Sequence, residues 1–151
     1  MYYKRDLATV VHECSTTFPA LLVTGPRQVG KSTLLESCTG PDRRIVTLDD
    51  PETRRLARED PAFFFQTYRP PLLIDEIQYA PGLFPFVKMI CDREKRPGLI
   101  WMTGSQQFDM MRNVSESLAG RVAVLDFLGL SSAEIDGRPR TGTFLDCLLA
   151  I

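Results

Sequence analysis

The segment from Ala20 to Cys38 most constrains what this chain can fold into. A short apolar stretch, Ala20-Leu-Leu-Val-Thr24, leads into the loop Gly25-Pro-Arg-Gln-Val-Gly30-Lys31-Ser32, and residues 31–38 have the pattern of a helix. The loop matches G-x-x-x-x-G-K-[ST] at every fixed position, in the strand–loop–helix context that gives this motif its meaning. Its glycines allow backbone shapes in which N–H groups wrap a phosphate, and the following helix adds its positive end. The predicted contacts to the phosphates are Gly25, Pro26, Arg27, Gln28, Val29, Gly30, Lys31, Ser32 and Thr33.

Two side chains of this loop carry chemistry of their own. Lys31 is expected to reach the β- and γ-phosphates as a point charge, and the Ser32 hydroxyl to bind Mg²⁺. The alternative is a glycine-containing turn with a chance lysine, which four fixed residues in the right context disfavour.

The rest of the chain alternates strand and helix patterns. Strands are predicted over 20–24, 44–48, 72–74, 99–102 and 122–128, and helices over 5–14, 31–38, from Pro51 onward, and over 62–68, 83–93 and 107–118. Continuous apolar strands separated by helices are typical of a parallel sheet covered on both faces, so the predicted fold is a three-layer α/β fold with about five strands. Ligands of such sheets bind at the carboxyl ends of the strands. The strand at 44–48 would separate the phosphate loop from the next acidic strand, as in one branch of the P-loop proteins.

An acidic pair ends the predicted strand Leu72-Leu-Ile74. Asp75 is expected to hold the Mg²⁺, directly or through water, and Glu76 to act as the base or orienting group for an attacking water. The alternative for Glu76 is a solvated carboxylate or a helix cap. A glutamate at this place favours hydrolysis over phosphate transfer to a bound acceptor.

Small polar residues, Thr103-Gly104-Ser105-Gln106, follow the fourth predicted strand. Ser105 is the first choice for a group that senses the γ-phosphate, Thr103 is the second, and a turn with incidental hydroxyls is the alternative. Gln78 and Gln106 either line the site or cap a turn.

Arg121, before the fifth strand, leaves three interpretations open. It enters a neighbouring subunit's site, binds its own γ-phosphate, or forms a surface ion pair. The first interpretation requires an oligomer.

Composition limits the other classes of function. The 151 residues carry 18 Lys and Arg against 19 Asp and Glu, so a dedicated nucleic-acid domain is not indicated. The four cysteines form no C-x-x-C pair and the chain has one histidine, His12, which disfavours a zinc site. No apolar run approaches the ~18 residues of a membrane span, and a cytoplasmic location is expected.

Taken together, the motifs resemble those of the bacterial and archaeal AAA-type ATPases whose ATPase domain is usually followed by a C-terminal domain of unknown function. The resemblance covers roughly residues 2–135. It rests on Tyr-Lys-Arg-Asp-Leu near the start, the loop at 25–32, Leu-Asp-Asp-Pro, Asp-Glu-Ile-Gln, Thr-Gly-Ser-Gln, Ser-Leu-Ala-Gly-Arg, and Leu-Gly-Leu-Ser-Ser-Ala-Glu-Ile.

This resemblance implies ATP binding and Mg²⁺-dependent hydrolysis, and the leading hypothesis is that hydrolysis is converted into a conformational change. Lys31, Ser32, Asp75 and Glu76 fall on the family's phosphate-loop and acidic-strand positions, and Ser105 on its fourth-strand polar position. The expected organisation is an amphipathic helix over 1–17, an ATPase core over 18–135, and the start of a truncated lid or following domain over 136–151.

Expected partners are ATP and ADP, a homo-oligomer, and a protein partner bound through the region that follows. Two other functions compete: a nucleotide-gated interaction module with negligible hydrolysis and, less favoured, a small-molecule or nucleotide kinase.

Overall fold

The fold is a five-stranded parallel sheet between two helical layers, seen in a computed structural model that describes residues 5–105, 114 and 116–137. The strands are β1 (Ala20–Thr24), β2 (Arg44–Thr47), β3 (Leu72–Asp75), β4 (Ile100–Gly104) and β5 (Val122–Asp126), in the order β2-β3-β4-β1-β5. The helices are α1 (Leu7–Thr17), α2 (Lys31–Cys38), α3 (Pro51–Glu59), α4 (Pro61–Thr67), α5 (Phe84–Glu94) and α6 (Ser132–Ile135). Short 3₁₀ turns cover Ile77–Tyr79 and Pro81–Leu83. The predicted α/β fold with about five parallel strands is confirmed.

Alternation of side chains along the strands divides the core into two clusters. From β1 and β3, Leu22 and Ile74 face the layer of α3, α4 and α5, where Phe64 and Phe84 are fully buried. Leu21 of β1 faces the other layer, with α1 and α2. Successive side chains of a strand point to opposite faces, so both faces of a sheet covered on each side become apolar.

Local capping signals determine where two of the helices begin. The Asp50 carboxylate accepts a hydrogen bond from the Thr53 backbone N–H, and Pro51 is the first residue of α3. Asp60 does the same for the Phe63 N–H at the start of α4. A proline at the first helical position leaves no backbone N–H unpaired there, and the preceding aspartate pairs an N–H of the first turn. An Asp-Pro pair therefore defines the start of a helix.

Several predicted boundaries move by a few residues. Helix α1 extends to Thr17, β3 includes Asp75, and β4 runs through Thr103 to Gly104, so Thr103 is a strand residue. The strand predicted over 122–128 ends at Asp126, and beyond it the carbonyls of residues 128 and 129 accept hydrogen bonds from the Arg5 side chain. Of the helix predicted over 107–118, residues 114 and 116–118 are described and helical; Gln106 and residues 107–113 and 115 lie outside the described residues.

Candidate nucleotide-binding site

The loop predicted to bind phosphate, residues 25–32 (the phosphate loop), joins β1 to α2 through backbone conformations that its sequence makes accessible. Gly25 has a φ of +150°, and a Cβ built there would lie 2.1 Å from the Phe127 carbonyl oxygen. Gly30, the residue before α2, has a φ of +92°. Gln28 also has a positive φ, of 62°. The first glycine is therefore required by the close approach of the chain after β5, and the second by the left-handed turn into the helix.

Lys31 lies inside this loop and is almost fully buried. Its side-chain Nζ donates hydrogen bonds to the carbonyl oxygens of Gly25, at 3.1 Å, and Pro26, at 2.7 Å. Its exposure is only 4%. A buried ammonium needs acceptors, and here the loop itself supplies them.

The Asp75 carboxylate accepts hydrogen bonds from hydroxyl groups of three other elements. Its Oδ1 accepts from Ser32 Oγ of α2 and from Thr103 Oγ1 of β4, both at 2.5 Å. Its Oδ2 accepts from Thr47 Oγ1 of β2 at 3.3 Å. The fold thus brings together the two predicted Mg²⁺ ligands, Ser32 and Asp75, although 43 residues separate them.

Thr47 is the member of this group that the sequence does not point to. It is the register partner of Asp75, because β2 pairs in parallel with β3. The sequence does predict a strand at 44–48, and Thr47 is its last polar residue. Only the pairing of that strand with β3 places Thr47 beside the Asp75 carboxylate.

Glu76 adopts a left-handed backbone conformation, with φ 60° and ψ 47°. Such a conformation costs an ordinary residue about 1 kcal/mol and is found preferentially at functional sites. The Glu76 N–H donates to Thr103 Oγ1 at 3.0 Å, and its carboxylate accepts a hydrogen bond from the Gln78 side-chain amide. The Gln78 side-chain oxygen, Oε1, accepts a hydrogen bond from the Ser105 N–H at 3.3 Å. Gln78 therefore connects Glu76 to the end of β4.

Ser105 lies at this same edge. Its Oγ is buried and has no hydrogen-bond partner among the described residues. An unpaired buried hydroxyl is uncommon, and at the carboxyl edge of the sheet it suits a group that receives a ligand.

Among the predicted site residues that the structure describes, Arg121 is the one that lies away from the loop. It precedes β5, and its carbonyl accepts a hydrogen bond from the Ala20 N–H at the amino end of β1. The loop begins after the other end of β1, roughly 16 Å away at ~3.3 Å per strand residue. Its guanidinium pairs with Asp92, with Nε to Oδ1 at 2.5 Å, and this hydrogen bond lowers the pKa of Asp92. Contact with the γ-phosphate of its own chain does not fit this position.

The donors at the carboxyl edge suit a nucleotide with Mg²⁺. In the described part of the chain, no group of three or more His, Cys, Asp or Glu side chains could hold a metal by itself. Mg²⁺ in phosphate sites needs only one or two protein oxygens because phosphates and water supply the rest. The Ser32 hydroxyl and the Asp75 carboxylate are such a pair.

Comparison with protein families decides the assignment. A family model described as "AAA domain" matches residues 17–136. The chain belongs to this AAA domain family. The predicted resemblance is therefore confirmed, and membership supports a nucleotide-binding, ATPase-type function.

The relatives of this AAA domain include two mycobacterial proteins. They are the uncharacterized proteins Mb2031c of Mycobacterium bovis and Rv2008c of Mycobacterium tuberculosis. Each is 34% identical over 134 residues, which is 87% of this chain and 30% of the relative. The chain thus spans about a third of the length of these relatives.

A solved structure supports the fold. The crystal structure of the DnaC helicase loader superposes with a TM-score of 0.54 and 12% identity, over 84% of this chain and 94% of that one. At this identity the likeness concerns the fold alone. Among the helices described for this AAA domain, none has the length and apolar character to cross a bilayer.

Proposed function

We propose that this AAA domain binds ATP with Mg²⁺ at the loop 25–33 and hydrolyses it to ADP and phosphate. The observation that carries the proposal is the convergence of Ser32, Thr47 and Thr103 on the Asp75 carboxylate. Three hydroxyls from separate elements orient one carboxylate beside the phosphate loop, which is the oxygen-rich surroundings that Mg²⁺ prefers.

In the proposed complex, Ser32 and Asp75 hold the Mg²⁺, which when bound neutralises charge on the β- and γ-phosphates. Lys31 exchanges its bonds to the Gly25 and Pro26 carbonyls for bonds to the phosphates. The ammonium is already buried, so little of its desolvation remains to be made on binding. The loop N–H groups contribute the remaining contacts.

Glu76 is the residue proposed to orient the attacking water and accept its proton. It follows Asp75 directly, at the residue where β3 has ended and the backbone turns into the left-handed region. Thr103 positions both acids, since its hydroxyl donates to Asp75 and accepts from the Glu76 N–H. Ser105 is proposed as the sensor of the γ-phosphate, because its buried hydroxyl needs a partner.

We further propose that Arg121 acts on a neighbouring subunit. Both Arg121 and Asp92 are partly exposed, at 33% and 47%, so a neighbour's phosphate is able to compete for the guanidinium. In this proposal, the subunits form a homo-oligomer whose activity depends on concentration. A conformational switch follows if loss of the γ-phosphate releases the loop and its neighbours.

One observation favours a second candidate, a nucleotide-gated interaction module with negligible hydrolysis. The Glu76 carboxylate accepts a hydrogen bond from the Gln78 amide on Oε2, so one of its two oxygens is engaged and the amide competes there with an attacking water. If this bond persists with nucleotide bound, the domain binds ATP without cleaving it. A cytoplasmic setting suits either candidate, since Cys14, Cys38 and Cys91 are free thiols.

The deciding experiment measures nucleotide binding and phosphate release side by side. Wild type, Lys31→Ala and Glu76→Gln are compared with Mg·ATP, by calorimetry for binding and by a phosphate sensor for turnover. We expect Lys31→Ala to lose binding and Glu76→Gln to retain binding while losing release. Release that survives in Glu76→Gln would contradict the assigned role of Glu76, and tight binding without release by wild type would favour the second candidate.

A further inference from the structure

Arg5 is a buried arginine at the start of the described chain, and it contacts three separate segments. Its exposure is 9%. Its guanidinium donates to the Val29 carbonyl at 3.3 Å, to the carbonyls of Leu128 and Gly129 at 2.9 and 3.2 Å, and to Glu134 Oε1 at 3.0 Å. One side chain therefore joins the phosphate loop, the chain leaving β5, and helix α6.

The geometry of these bonds requires arginine. Its planar fork directs N–H groups to several acceptors at once, whereas lysine presents a single ammonium. The Arg5 Cζ also lies 3.9 Å from the centre of the Phe127 ring. Stacking and hydrogen bonding together hold the plane of the guanidinium in one orientation.

Contact with Val29 bears on the shape of the phosphate loop. Val29 lies between Gln28 and Gly30, both of which have positive φ. In a planar trans peptide the C=O of residue 29 and the N–H of residue 30 point in opposite directions. Holding the Val29 carbonyl against Arg5 thus turns the Gly30 N–H away from Arg5, where it remains available to a phosphate.

The other end of the loop meets the same neighbouring segment. The Phe127 N–H donates to the Thr24 carbonyl at 2.7 Å, and the Phe127 carbonyl allows no Cβ on Gly25. One end of the loop therefore contacts the chain that leaves β5 directly, and the other end is joined to that chain through Arg5.

Glu134 completes the contact from α6. Its Oε1 accepts from Arg5 and from the Asp6 N–H at 3.0 Å, and its Oε2 accepts from the Ser131 N–H at 2.8 Å. The side chain is only 6% exposed. Ser131 and Glu134 also form a reciprocal capping box that begins α6.

We propose that Arg5 and Glu134 form a clasp that positions the phosphate loop and couples it to α6, so that phosphate binding and docking of α6 favour each other. The proposal rests on nucleotide binding at the loop, as in the proposed function, but not on hydrolysis. Arg5 and Glu134 are positioning residues that act through the Val29 carbonyl and the chain at 127–129. Because coupling between two sites is reciprocal, α6 gains protection when nucleotide binds, and nucleotide affinity falls when α6 is released.

Arg43 offers a matched control at the opposite edge of the sheet. Its Nη2 donates to the Gly98 carbonyl at 2.7 Å, and its Cζ lies 3.9 Å from the centre of the Trp101 ring. Arg43→Lys thus removes the same kind of stacked, carbonyl-bonded guanidinium as Arg5→Lys, without touching the phosphate loop.

The first measurement is hydrogen exchange of the nucleotide-free chain. We expect Arg5→Lys and Glu134→Gln to speed exchange in both 25–31 and 131–137, whereas Arg43→Lys leaves both segments unchanged. Faster exchange in only one of the two segments would overturn the clasp, whether or not the chain hydrolyses ATP.

The second measurement is ADP affinity by calorimetry, with Mg²⁺ present. We expect Arg5→Lys and Glu134→Gln to weaken binding about fivefold or more. Arg43→Lys should change it less than twofold. Equal weakening by Arg43→Lys, or unchanged affinity in Arg5→Lys, would overturn the coupling. If wild type bound no nucleotide, the proposed function and the coupling would both fail. The hydrogen-exchange result would then still test whether Arg5 and Glu134 link the loop to α6.

Discussion

The ionised Glu134 carboxylate should make the free energy of unfolding of this domain depend on pH, and Glu134→Gln should remove that contribution. Burial works to raise the pKa of Glu134, but the N–H groups of Ser131 and Asp6 and the Arg5 guanidinium lower it from 4.5 to about 2. Because the folded state binds this proton less tightly than the unfolded state, the carboxylate stabilises the fold above pH 4.5. That stabilisation is lost as the pH falls toward 2.

The expected size follows from the pKa change. At ~1.36 kcal/mol for each pKa unit, a fall from 4.5 to about 2 corresponds to about 3 kcal/mol of folding free energy at pH 7. Linkage predicts that roughly 1 kcal/mol of this is already lost at pH 3.5. Glu134→Gln has no charge to titrate, so the difference in unfolding free energy between wild type and variant should shrink by that amount.

Urea denaturation at pH 7, 5 and 3.5 measures this difference. Trp101, the single tryptophan, is 4% exposed and reports unfolding by fluorescence. Other carboxylates titrate equally in both proteins and cancel in the comparison. Glu59→Gln is the control, because the Arg55–Glu59 pair is 69% and 63% exposed and should contribute under about 1 kcal/mol. A Glu134→Gln difference that stayed the same from pH 7 to pH 3.5 would refute this account of the clasp.

Three further predictions concern the site. Gly25→Ala should abolish ATP binding in calorimetry, because the new Cβ would overlap the Phe127 carbonyl at 2.1 Å; retained affinity would mean that the loop tolerates a shift of that segment. Gln78→Ala should raise phosphate release about tenfold by freeing the Glu76 carboxylate from a charged hydrogen bond, and a fall in release would instead make Gln78 a positioning residue. Arg121→Ala should lower release per chain at high concentration while leaving binding unchanged; wild-type release per chain that is constant on dilution would exclude a role in a neighbouring site.

Much of the fold was predictable because its signals are local. The loop at 25–32 is contiguous, and the positive φ values of Gly25 and Gly30 are what its glycines predict. Asp50-Pro51 gave the start of α3 correctly, since a cap acts over three residues. The contact of Ser32 with Asp75 also followed from the expectation that parallel strands end at one edge.

The order and register of the strands could not be predicted from the sequence. Thr47 became a partner of Asp75 only because β2 lies beside β3, and Thr103 joined them because β4 extends to Gly104. Apolar strands look alike to pattern analysis, so nothing in the residues themselves specifies which strand lies next to which.

The sequence by itself determined the conformation of the glycine-containing loop at 25–32, the position of Asp75 and Glu76 after a strand, and the α/β class, because each depends on neighbours along the chain. Only the tertiary structure decided that Arg5 meets Glu134, 129 residues away, and that Arg121 pairs with Asp92 near the amino end of β1. Such contacts join residues that are remote in sequence. They form when packing of the sheet brings loop, strand and helix ends together. The sequence pattern of one chain does not specify which of these ends come into contact.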